Sequence, residues 1–452
     1  MPASSRLILC PAASMPSYRL PTIALIAAAL SCQPANAWFR VACTTPLVQE
    51  RLDPIISPGV SPSNHVHTIH GGNMFASNST YDTLRTSTCT NCLVSQLLPY
   101  EDQCWCSLRN LLSGFPKLYF QDPRNKSFTP VPDGGLLVYY ENRGGNDTSN
   151  GGTGLKAFPP GFKMISGSPT RRSRKFTPGE GSQGELAERA IEWECLRYTN
   201  SSTPGYNSDQ TVGGFPTTDC EAGLNSRIHF PSCWDGVNVD SPDHTSHTAF
   251  LSDLDNGNCP STHPVGLMTI LYEVTWNVHA FAESWNSSSD PWPFVWGLIH
   301  PRDLIVLVTD GLASDPTGYS WHGDFQNGWD TQVLQNAIDK CNNPNDQTAQ
   351  GVTEACSFLT VTNATTAGEC KIAPTVSETI DGLLDKLPGC NPIQAGPQDA
   401  TLHSDANCQL GVASPTPTPG KSAAMGNFVS VKDQQVLILS LGAVLASMLF
   451  GL

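Results

Sequence analysis

Histidine and carboxylate side chains concentrate in three separated stretches of the chain. The first is NHVHTIHGG, which contains His65, His67 and His70, and the last is SWHGDFQNGWD, which contains His322 and Asp324. Between them, residues 227–247 (RIHFPSCWDGVNVDSPDHTSH) supply the candidates Asp235, Asp243, His244 and His247. Imidazole binds metals and transfers protons near neutral pH, and a carboxylate acts as an acid, base or nucleophile. These residue types predict one pocket in which the three stretches meet.

Four further side chains are candidate substrate-binding groups. They are Lys163, Trp234, Glu273 and Tyr319. Lys163 follows a Pro-Pro-Gly turn in a predicted strand, and Glu273 lies in another. Tryptophan can stack on the face of a sugar ring, and packing in the core is the alternative for it. An exposed edge position is the alternative for the lysine.

Short β-type runs with frequent Gly and Pro turns must position these groups. Alternation along a strand puts His65 and His67 on one face. Strands are predicted at residues 136–140, from 272 onward and at 304–309. The clearest helix is predicted at 330–341, with Asp330 as N-cap. These patterns predict a mainly β fold, a sandwich or jelly-roll-like core with long loops.

The predicted domain boundaries lie where the amino-acid composition of the chain changes. Residues 38–345 are predicted to form the main β-rich domain, and residues 346–410 a small, disulfide-rich, helical annex packed on it. A short helix is predicted within the annex at 376–387. Residues 168–189 are polar and are predicted to be an insert or mobile loop, in which the basic run at 171–175 is solvated.

Both ends of the chain resemble processing signals. Residues 1–37 contain Arg19, an apolar run at 20–30 and a small-x-small site before Trp38, which predicts a secretory signal peptide. Residues 411–424 are a Pro/Thr/Ser-rich spacer that ends with a GPI-attachment site at Ser422. A polar spacer and an apolar tail complete residues 425–452, which GPI transfer would remove. A single short transmembrane helix is the alternative for the tail.

Cysteine use and charge agree with export. Of the 16 cysteines, 14 remain after the signal peptide, so up to seven disulfides are expected. A zinc or redox site at Cys89-x-x-Cys92 followed by Cys104-x-Cys106 is the alternative. N-glycosylation is predicted at Asn78, Asn125, Asn146, Asn200, Asn286 and Asn363, in solvent-facing loops. The formal net charge of −15 excludes nucleic acid as an expected partner, because phosphate binding needs clustered basic residues.

Several stretches together resemble a known family. NHVHTIHGG, FPSCWDGVNVDSPDHTSH, CPSTHP and TGYSWHGDFQNGWD occur in the order typical of a fungal secreted family, the domain of unknown function numbered nineteen ninety-six. The resemblance covers roughly residues 39–390. It implies secretion and association with the fungal cell wall, but it implies no activity. The common serine-hydrolase, zincin, P-loop and dinucleotide-binding motifs do not occur in the sequence.

Three functions therefore remain open. The first is a polysaccharide hydrolase or lyase of the cell surface that uses the His/Asp pocket. The second is a protein or enzyme that binds Cu, Zn or Mn through His65, His67, His244, His247 or His322. A copper histidine brace is disfavoured, because cleavage leaves Trp38 rather than histidine at the N-terminus. The third is a non-catalytic wall protein, held at the outer membrane leaflet by its lipid and bound to extracellular polysaccharide.

Overall fold

The computed structural model describes residues 37–63, 65–96, 112–198, 211–297, 311–312, 314–343, 345, 347 and 351–403. Several predicted features lie outside these residues: the signal peptide, Cys104, Cys106, Asn200, the strand at 304–309, Cys408, the spacer and Ser422 with the GPI signal. Within the described part of the chain, no helix has the length and apolarity that a bilayer span requires.

Twenty-one strands and four α-helices make up the described structure. The strands are β1 (Ala37–Cys43), β2 (Val48–Glu50), β3 (His67–Gly71), β4 (Val94–Gln96), β5 (Leu112–Pro116), β6 (Leu118–Gln121), β7 (Phe128–Pro130), β8 (Asp133–Glu141), β9 (Lys163–Gly167), β10 (Ile191–Leu196), β11 (Thr211–Val212), β12 (Gly223–His229), β13 (Cys233–Trp234), β14 (Thr248–Ala249), β15 (Val265–Gly266), β16 (Thr269–Trp276), β17 (Phe294–Trp296), β18 (Gly311–Leu312), β19 (His322–Gln326), β20 (Leu359–Val361) and β21 (Leu402–His403). The helices are α1 (Tyr81–Arg85), α2 (Gln183–Arg189), α3 (Thr331–Lys340) and α4 (Ala364–Gly368).

Two antiparallel sheets form the sandwich. The six-stranded sheet has the order β1-β8-β16-β12-β10-β11, and the five-stranded sheet has the order β2-β3-β5-β19-β9. Their facing sides share one hydrophobic cluster, to which Val138 and Tyr272 contribute from the first sheet and Phe115 and Phe325 from the second. The Ser113 and Tyr272 hydroxyls also form a hydrogen bond across the interface at 2.7 Å. The predicted mainly β fold is confirmed.

Helix α3 confirms the strongest local prediction. Asp330 is its N-cap, and its side chain accepts hydrogen bonds from the backbone N–H groups of Gln332 and Val333. The face that contains Val333, Leu334 and Ile338 is buried. A capping carboxylate and one apolar face are sufficient to predict this helix from the sequence, because the cap acts within the helix and the apolar face packs directly beneath it.

The annex contains little helix. Its α-helical content in the described residues is the five-residue α4, with 3₁₀ turns at Thr353–Ala355 and Pro388–Cys390. The helix predicted at 376–387 is wrong. Leu384 instead exchanges backbone hydrogen bonds with Phe128, and Asp381 pairs with Lys117. The polar groups of this segment therefore bond to distant parts of the chain, and they do not form the i to i−4 hydrogen bonds of a helix.

The segment 168–189 is also more ordered than its composition predicts. It contains α2, and the Arg172 side chain is completely buried. The Arg172 guanidinium donates to the carbonyls of Pro169 and Gln394 and lies 3.6 Å from Asp315. The prediction of a wholly solvated basic loop is wrong, because carbonyls and one carboxylate replace water around this cation.

Disulfides cross-link the sandwich and the annex. The pairs are Cys43–Cys92, Cys89–Cys370, Cys195–Cys220, Cys233–Cys259 and Cys341–Cys356, and Cys390 is also disulfide-bonded. Since Cys89 and Cys92 belong to different disulfides, the zinc or redox interpretation of that pair is wrong. Among the described sequons, Asn78, Asn125, Asn286 and Asn363 are exposed and Asn146 is half-buried.

Candidate functional site: a buried histidine–aspartate cluster

Strands β3 and β19 carry the predicted histidines to one place, on either side of β5. His67 pairs with Pro116 of β5, and Asp324 pairs with Gly114 of the same strand. Phe325 packs in the core between the sheets. Alternation along β19 therefore turns His322 and Asp324 to the outer face of the five-stranded sheet.

Three imidazoles meet on this outer face. His65 Nε2 lies 3.3 Å from His322 Nε2, and the ring centroids of His65 and His67 are 4.1 Å apart. One ring nitrogen from each of the three histidines lies within 4.8 Å of the others. All three side chains are at most 2% exposed. The first and third sequence stretches therefore do converge.

Backbone carbonyls orient two of the rings. His67 Nδ1 lies 3.0 Å from the carbonyl oxygen of Leu52, and His322 Nδ1 lies 3.0 Å from that of Ser320. A carbonyl only accepts, so each Nδ1 carries the proton and donates it. The Nε2 atom of each ring is consequently directed into the cluster.

Two buried carboxylates complete the cluster. Asp324 Oδ2 is 2.8 Å from His67 Nε2. Asp53 lies in the loop before β3, where its Oδ1 accepts hydrogen bonds from Ile55 N and Ile56 N at 2.8 and 2.9 Å. Ligand atoms of Asp53, His67 and Asp324 also lie within 4.8 Å of one another.

Burial and the charges of neighbouring groups shift the pKa values of these residues in opposite directions. Burial lowers the pKa of His67, but the charge of Asp324 and its hydrogen bond, together with Asp53, outweigh burial and raise it. Burial raises the pKa of Asp324, and the charge and hydrogen bond of His67 reverse this and lower it. Burial and the nearby charge of Asp324 raise the pKa of Asp53. Without a further cation, the cluster is thus a His67–Asp324 ion pair beside a more weakly acidic Asp53.

Glycine provides the space for this arrangement. A Cβ atom on Gly114 would lie 3.3 Å from Asp324 Oδ2 and 3.1 Å from Ile69 Cδ1. Both distances are tighter than ordinary van der Waals contact. The small residue in the middle strand therefore lets the Asp324 carboxylate lie low across the sheet toward His67.

The middle sequence stretch contributes one residue at the border of the cluster. His244 lies in a loop along the edge strand β9, where its carbonyl accepts a hydrogen bond from Ile165 N at 3.0 Å. Its Nδ1 lies 2.7 Å from Asp240 Oδ1, and its charge helps to lower the pKa of Asp324. The side chain of His244 is 20% exposed, whereas the side chains of the cluster are almost completely buried.

The other predicted residues of that stretch have local structural contacts. Asp235 accepts hydrogen bonds from the N–H groups of residues 237 and 238, and Asp243 does so for residues 245 and 246. His247 Nε2 is 2.8 Å from the Lys163 carbonyl, and its Nδ1 is 2.9 Å from Ser241 Oγ. These three side chains hold the loop in shape, and the structure does not bring them into the cluster.

The four predicted substrate-binding groups are dispersed. Lys163 lies on the same outer face as Asp324, opposite Gln326. Trp234 donates from Nε1 to the Asn238 carbonyl at 2.6 Å. Tyr319 packs against the backbone of Gly213 and Gly214. Glu273 lies on the six-stranded sheet, and therefore on the other side of the sandwich.

Sequence reasoning missed Asp53. Asp53 precedes Pro54 in an irregular loop, where a carboxylate ordinarily caps a turn. It does cap a turn with Oδ1, and it also faces His67. The cue that was available is an aspartate 12 residues before the first histidine of the H-x-H pair, but no local pattern separates it from other turn aspartates.

These features define a two-sheet β-sandwich with a buried cluster of three histidines and two aspartates. Residues 53–329 match the family described as Domain of unknown function (DUF1996). The match covers more than half of the chain, which belongs to this family, and it includes all five residues of the cluster. No curated protein and no solved structure matches the chain significantly.

Proposed function

We propose that the cluster binds a divalent transition-metal ion through the imidazoles of His65, His67 and His322, with the Asp324 carboxylate next to His67. The observation that supports this most strongly is the convergence of three buried imidazoles, two of which donate Nδ1–H to a backbone carbonyl. Metal-binding histidines ordinarily donate their second ring N–H in this way, which fixes the ring and leaves Nε2 for the ion. Three imidazole nitrogens suit zinc or copper.

The spacing of the nitrogens supports this assignment. A tetrahedral ion with ligands at about 2.0–2.1 Å places neighbouring ligand atoms about 3.3–3.4 Å apart. The His65 and His322 Nε2 atoms are 3.3 Å apart. Two buried carboxylates next to three imidazoles also supply the negative charge that a divalent ion needs in a site with little access to water.

The wider setting in this proposal is the cell surface. The signal peptide, the GPI signal and the sequons make the protein a secreted, glycosylated protein that is tethered to the outer leaflet or transferred to the wall. Its disulfides suit an oxidising compartment. Release of the protein from intact cells by a phosphatidylinositol-specific phospholipase supports the lipid tether, and release only by wall-degrading glucanase supports transfer to the wall. Retention after both treatments contradicts the proposed surface location.

Metal content decides the main proposal. Glycosylated protein that has been released from the cell surface and purified is equilibrated with zinc, copper and manganese salts in turn and then dialysed. About one ion per chain is expected by elemental analysis. His322→Ala is expected to lose at least about nine-tenths of it, because altering even an outer-shell partner of a ligand costs about 10–100-fold in affinity and this variant removes a ligand. The matched control is His279→Ala, since His279 is 49% exposed and lies outside the cluster.

The fold of the variants needs its own measurement. A bound ion stabilises the folded state by mass action, so wild-type protein is expected to melt at a higher temperature with metal than with chelator. His322→Ala is expected to melt at the same temperature in both. Wild-type protein that holds no metal above background, or a His322→Ala variant that holds as much as wild type, contradicts the proposal.

A second candidate is metal-free acid–base catalysis on an extracellular polysaccharide. The 2.7 Å pair of His244 Nδ1 and Asp240 Oδ1 favours it, because a carboxylate that orients an imidazole is a common general-base arrangement. The His244 side chain is 20% exposed, so it is the group that would meet a substrate. Release of reducing ends or unsaturated products in the presence of chelator, lost in His244→Gln, supports this candidate. Activity that survives His244→Gln excludes it.

A further inference from the structure

A cleft lies at the edge of the five-stranded sheet, where strand β2 faces the annex segment 371–381. Its volume is about 490 Å³, within the range of about 300–1,000 Å³ that small-molecule sites have. Val48 and Glu50 line it on the side of β2, and Ile372 and Val376 line it on the side of the annex. We call this cavity the edge cleft.

Contacts between the two walls close the edge cleft at both ends. The Ile372 N–H donates to the Leu47 carbonyl at 3.1 Å, and at the other end Arg51 forms an ion pair with Glu378. A cleft that is closed in this way has room for a small molecule and not for a polymer that runs through it. Among the described residues, no aromatic side chain lines the cleft, so a sugar ring finds no flat surface for stacking.

The side chain of Glu50 reaches from β2 to the annex between the two walls. Its Oε2 accepts hydrogen bonds from Thr375 N, Thr375 Oγ1 and Val376 N at 2.7, 3.0 and 2.9 Å. Its Oε1 is buried and has no hydrogen-bond partner in the described part of the chain, although Glu50 lines the cavity. Three donors therefore fix the carboxylate in place, and one oxygen remains for a ligand in the cleft.

Within the described chain, Glu50 is the one carboxylate of the edge cleft without an ion pair. Glu378 pairs with Arg51, and Asp381 pairs with Lys117. No described lysine or arginine forms an ion pair with Glu50. A buried charge is costly unless it is paired, so a cationic ligand complements this carboxylate better than a neutral or anionic one.

Aliphatic side chains lie on both walls beside Glu50. Val48 is on the β2 side, and Ile372 and Val376 are on the annex side, while Lys371 is exposed, where water solvates its charge. Such walls favour a hydrocarbon chain, because the chain is removed from water between them. We propose that the edge cleft binds an aliphatic primary amine, whose ammonium group donates to Glu50 Oε1 and whose hydrocarbon chain packs between the walls.

The probe is n-hexylammonium, because an aliphatic amine stays protonated at neutral pH, as the lysine side chain does. Isothermal titration calorimetry of the purified, glycosylated protein is expected to show one saturable site per chain. The shorter n-butylammonium is expected to bind about four- to fifteenfold more weakly, because two methylene groups are missing. 1-Hexanol keeps the chain without the charge and is expected to bind at least about tenfold more weakly. Chelator is present throughout, since an amine also binds metal ions.

Glu50→Gln tests the carboxylate directly. Its amide oxygen still accepts from Thr375 and Val376, and its amide nitrogen replaces the unpaired oxygen by a donor. Hexylammonium binding is therefore expected to weaken at least about tenfold. The matched control is Glu354→Gln, because Glu354 is an exposed glutamate of the annex that does not line the cleft.

Val376→Thr tests the apolar wall and keeps Glu50 in place. Threonine has the shape of valine but presents a hydroxyl to the hydrocarbon chain, so about two- to fivefold weaker binding is expected. Melting temperatures without ligand show whether each variant folds, and Val376→Thr decides the test if Glu50→Gln does not fold.

Saturable hexylammonium binding that the cleft variants weaken and that Glu354→Gln keeps supports the proposal. Three results overturn it: no saturable binding at about millimolar concentration, equal affinity of wild type and the folded cleft variants, or binding of 1-hexanol or glucosamine as tight as that of hexylammonium. Glu50 pairs with His67 across strands β2 and β3, so the cleft lies beside the histidine cluster. His322→Ala is expected to bind hexylammonium normally and Glu50→Gln to bind metal normally, so failure of this proposal and failure of the metal proposal are distinguishable.

Discussion

The buried pair of His67 and Asp324 offers the most informative perturbation of the cluster. The two side chains are 0% and 6% exposed, and their charged atoms are 2.8 Å apart. His67→Gln and Asp324→Asn each remove one charge and keep a polar group of similar size. A double-mutant cycle then isolates the interaction between them.

The expected magnitudes follow from burial. Removing one partner of a buried ion pair costs about 3–5 kcal/mol, because the other charge is left without compensation. Each single variant is therefore expected to lose about that much free energy of unfolding. The double variant leaves no such charge, so its loss should be smaller than the sum of the two by about 2 kcal/mol or more.

Urea unfolding followed by tryptophan fluorescence measures these differences. Trp193, Trp276, Trp296 and Trp321 are completely buried and report on the core. The titrations are carried out with chelator, so that a lost metal ion does not contribute to the change. Single variants that lose less than about 1 kcal/mol, or strictly additive losses, would refute a charged and water-excluded pair.

Three further outcomes are expected. Burial, opposed in part by Arg143, raises the pKa of Glu141 from 4.5 to about 7. Its contribution to stability is therefore complete below about pH 4.5 and is lost as the pH rises through 7. At about 1.4 kcal/mol per pKa unit the loss is about 3 kcal/mol, and urea titrations at both ends of this range should show it in wild type but not in Glu141→Gln. Gly114→Ala is expected to cost about 1–3 kcal/mol by crowding Asp324, and an unchanged unfolding midpoint contradicts the close approach. Asp330→Ala is expected to cost about 1 kcal/mol by removing the cap of α3, which thermal unfolding detects; a cost below about 0.3 kcal/mol counts against the cap.

The parts of the fold that depend on interactions between residues close together in the sequence were predictable. Asp330 and the apolar spacing after it act within one helix, and the apolar–polar alternation from residue 272 acts within one strand. The errors arose where distant contacts dominate. Leu384 was assigned to a helix because of nearby leucines, yet it pairs with Phe128, which is 256 positions away in the sequence. Arg172 was assigned to solvent, yet carbonyls from two segments surround it.

The candidate site was predictable in part for the same reason. His65-x-His67 and His322-x-Asp324 have the two-residue spacing that places both members on one face of an extended chain. That β5 would lie between their strands could not be inferred, because strand order depends on the whole sheet. Asp235 and Asp243 were predicted to lie in the pocket, but they accept hydrogen bonds within their own loop. The sequence alone does not distinguish a carboxylate that caps a turn from a catalytic one.

Strand β19 explains how the core and the candidate site constrain each other. Its odd and even positions serve opposite faces: Phe325 packs 4.8 Å from Phe158 between the sheets, and Asp324 faces His67. The Tyr272 hydroxyl of the opposite sheet donates to the Asp324 carbonyl at 3.1 Å. The backbone that carries the carboxylate is therefore tied to the six-stranded sheet, and a shift of this strand would disturb the core. In the metal site that we propose, ligands carried by such a strand would keep their backbone positions without the ion, which is the property that distinguishes a preformed metal site from one that folds around its metal.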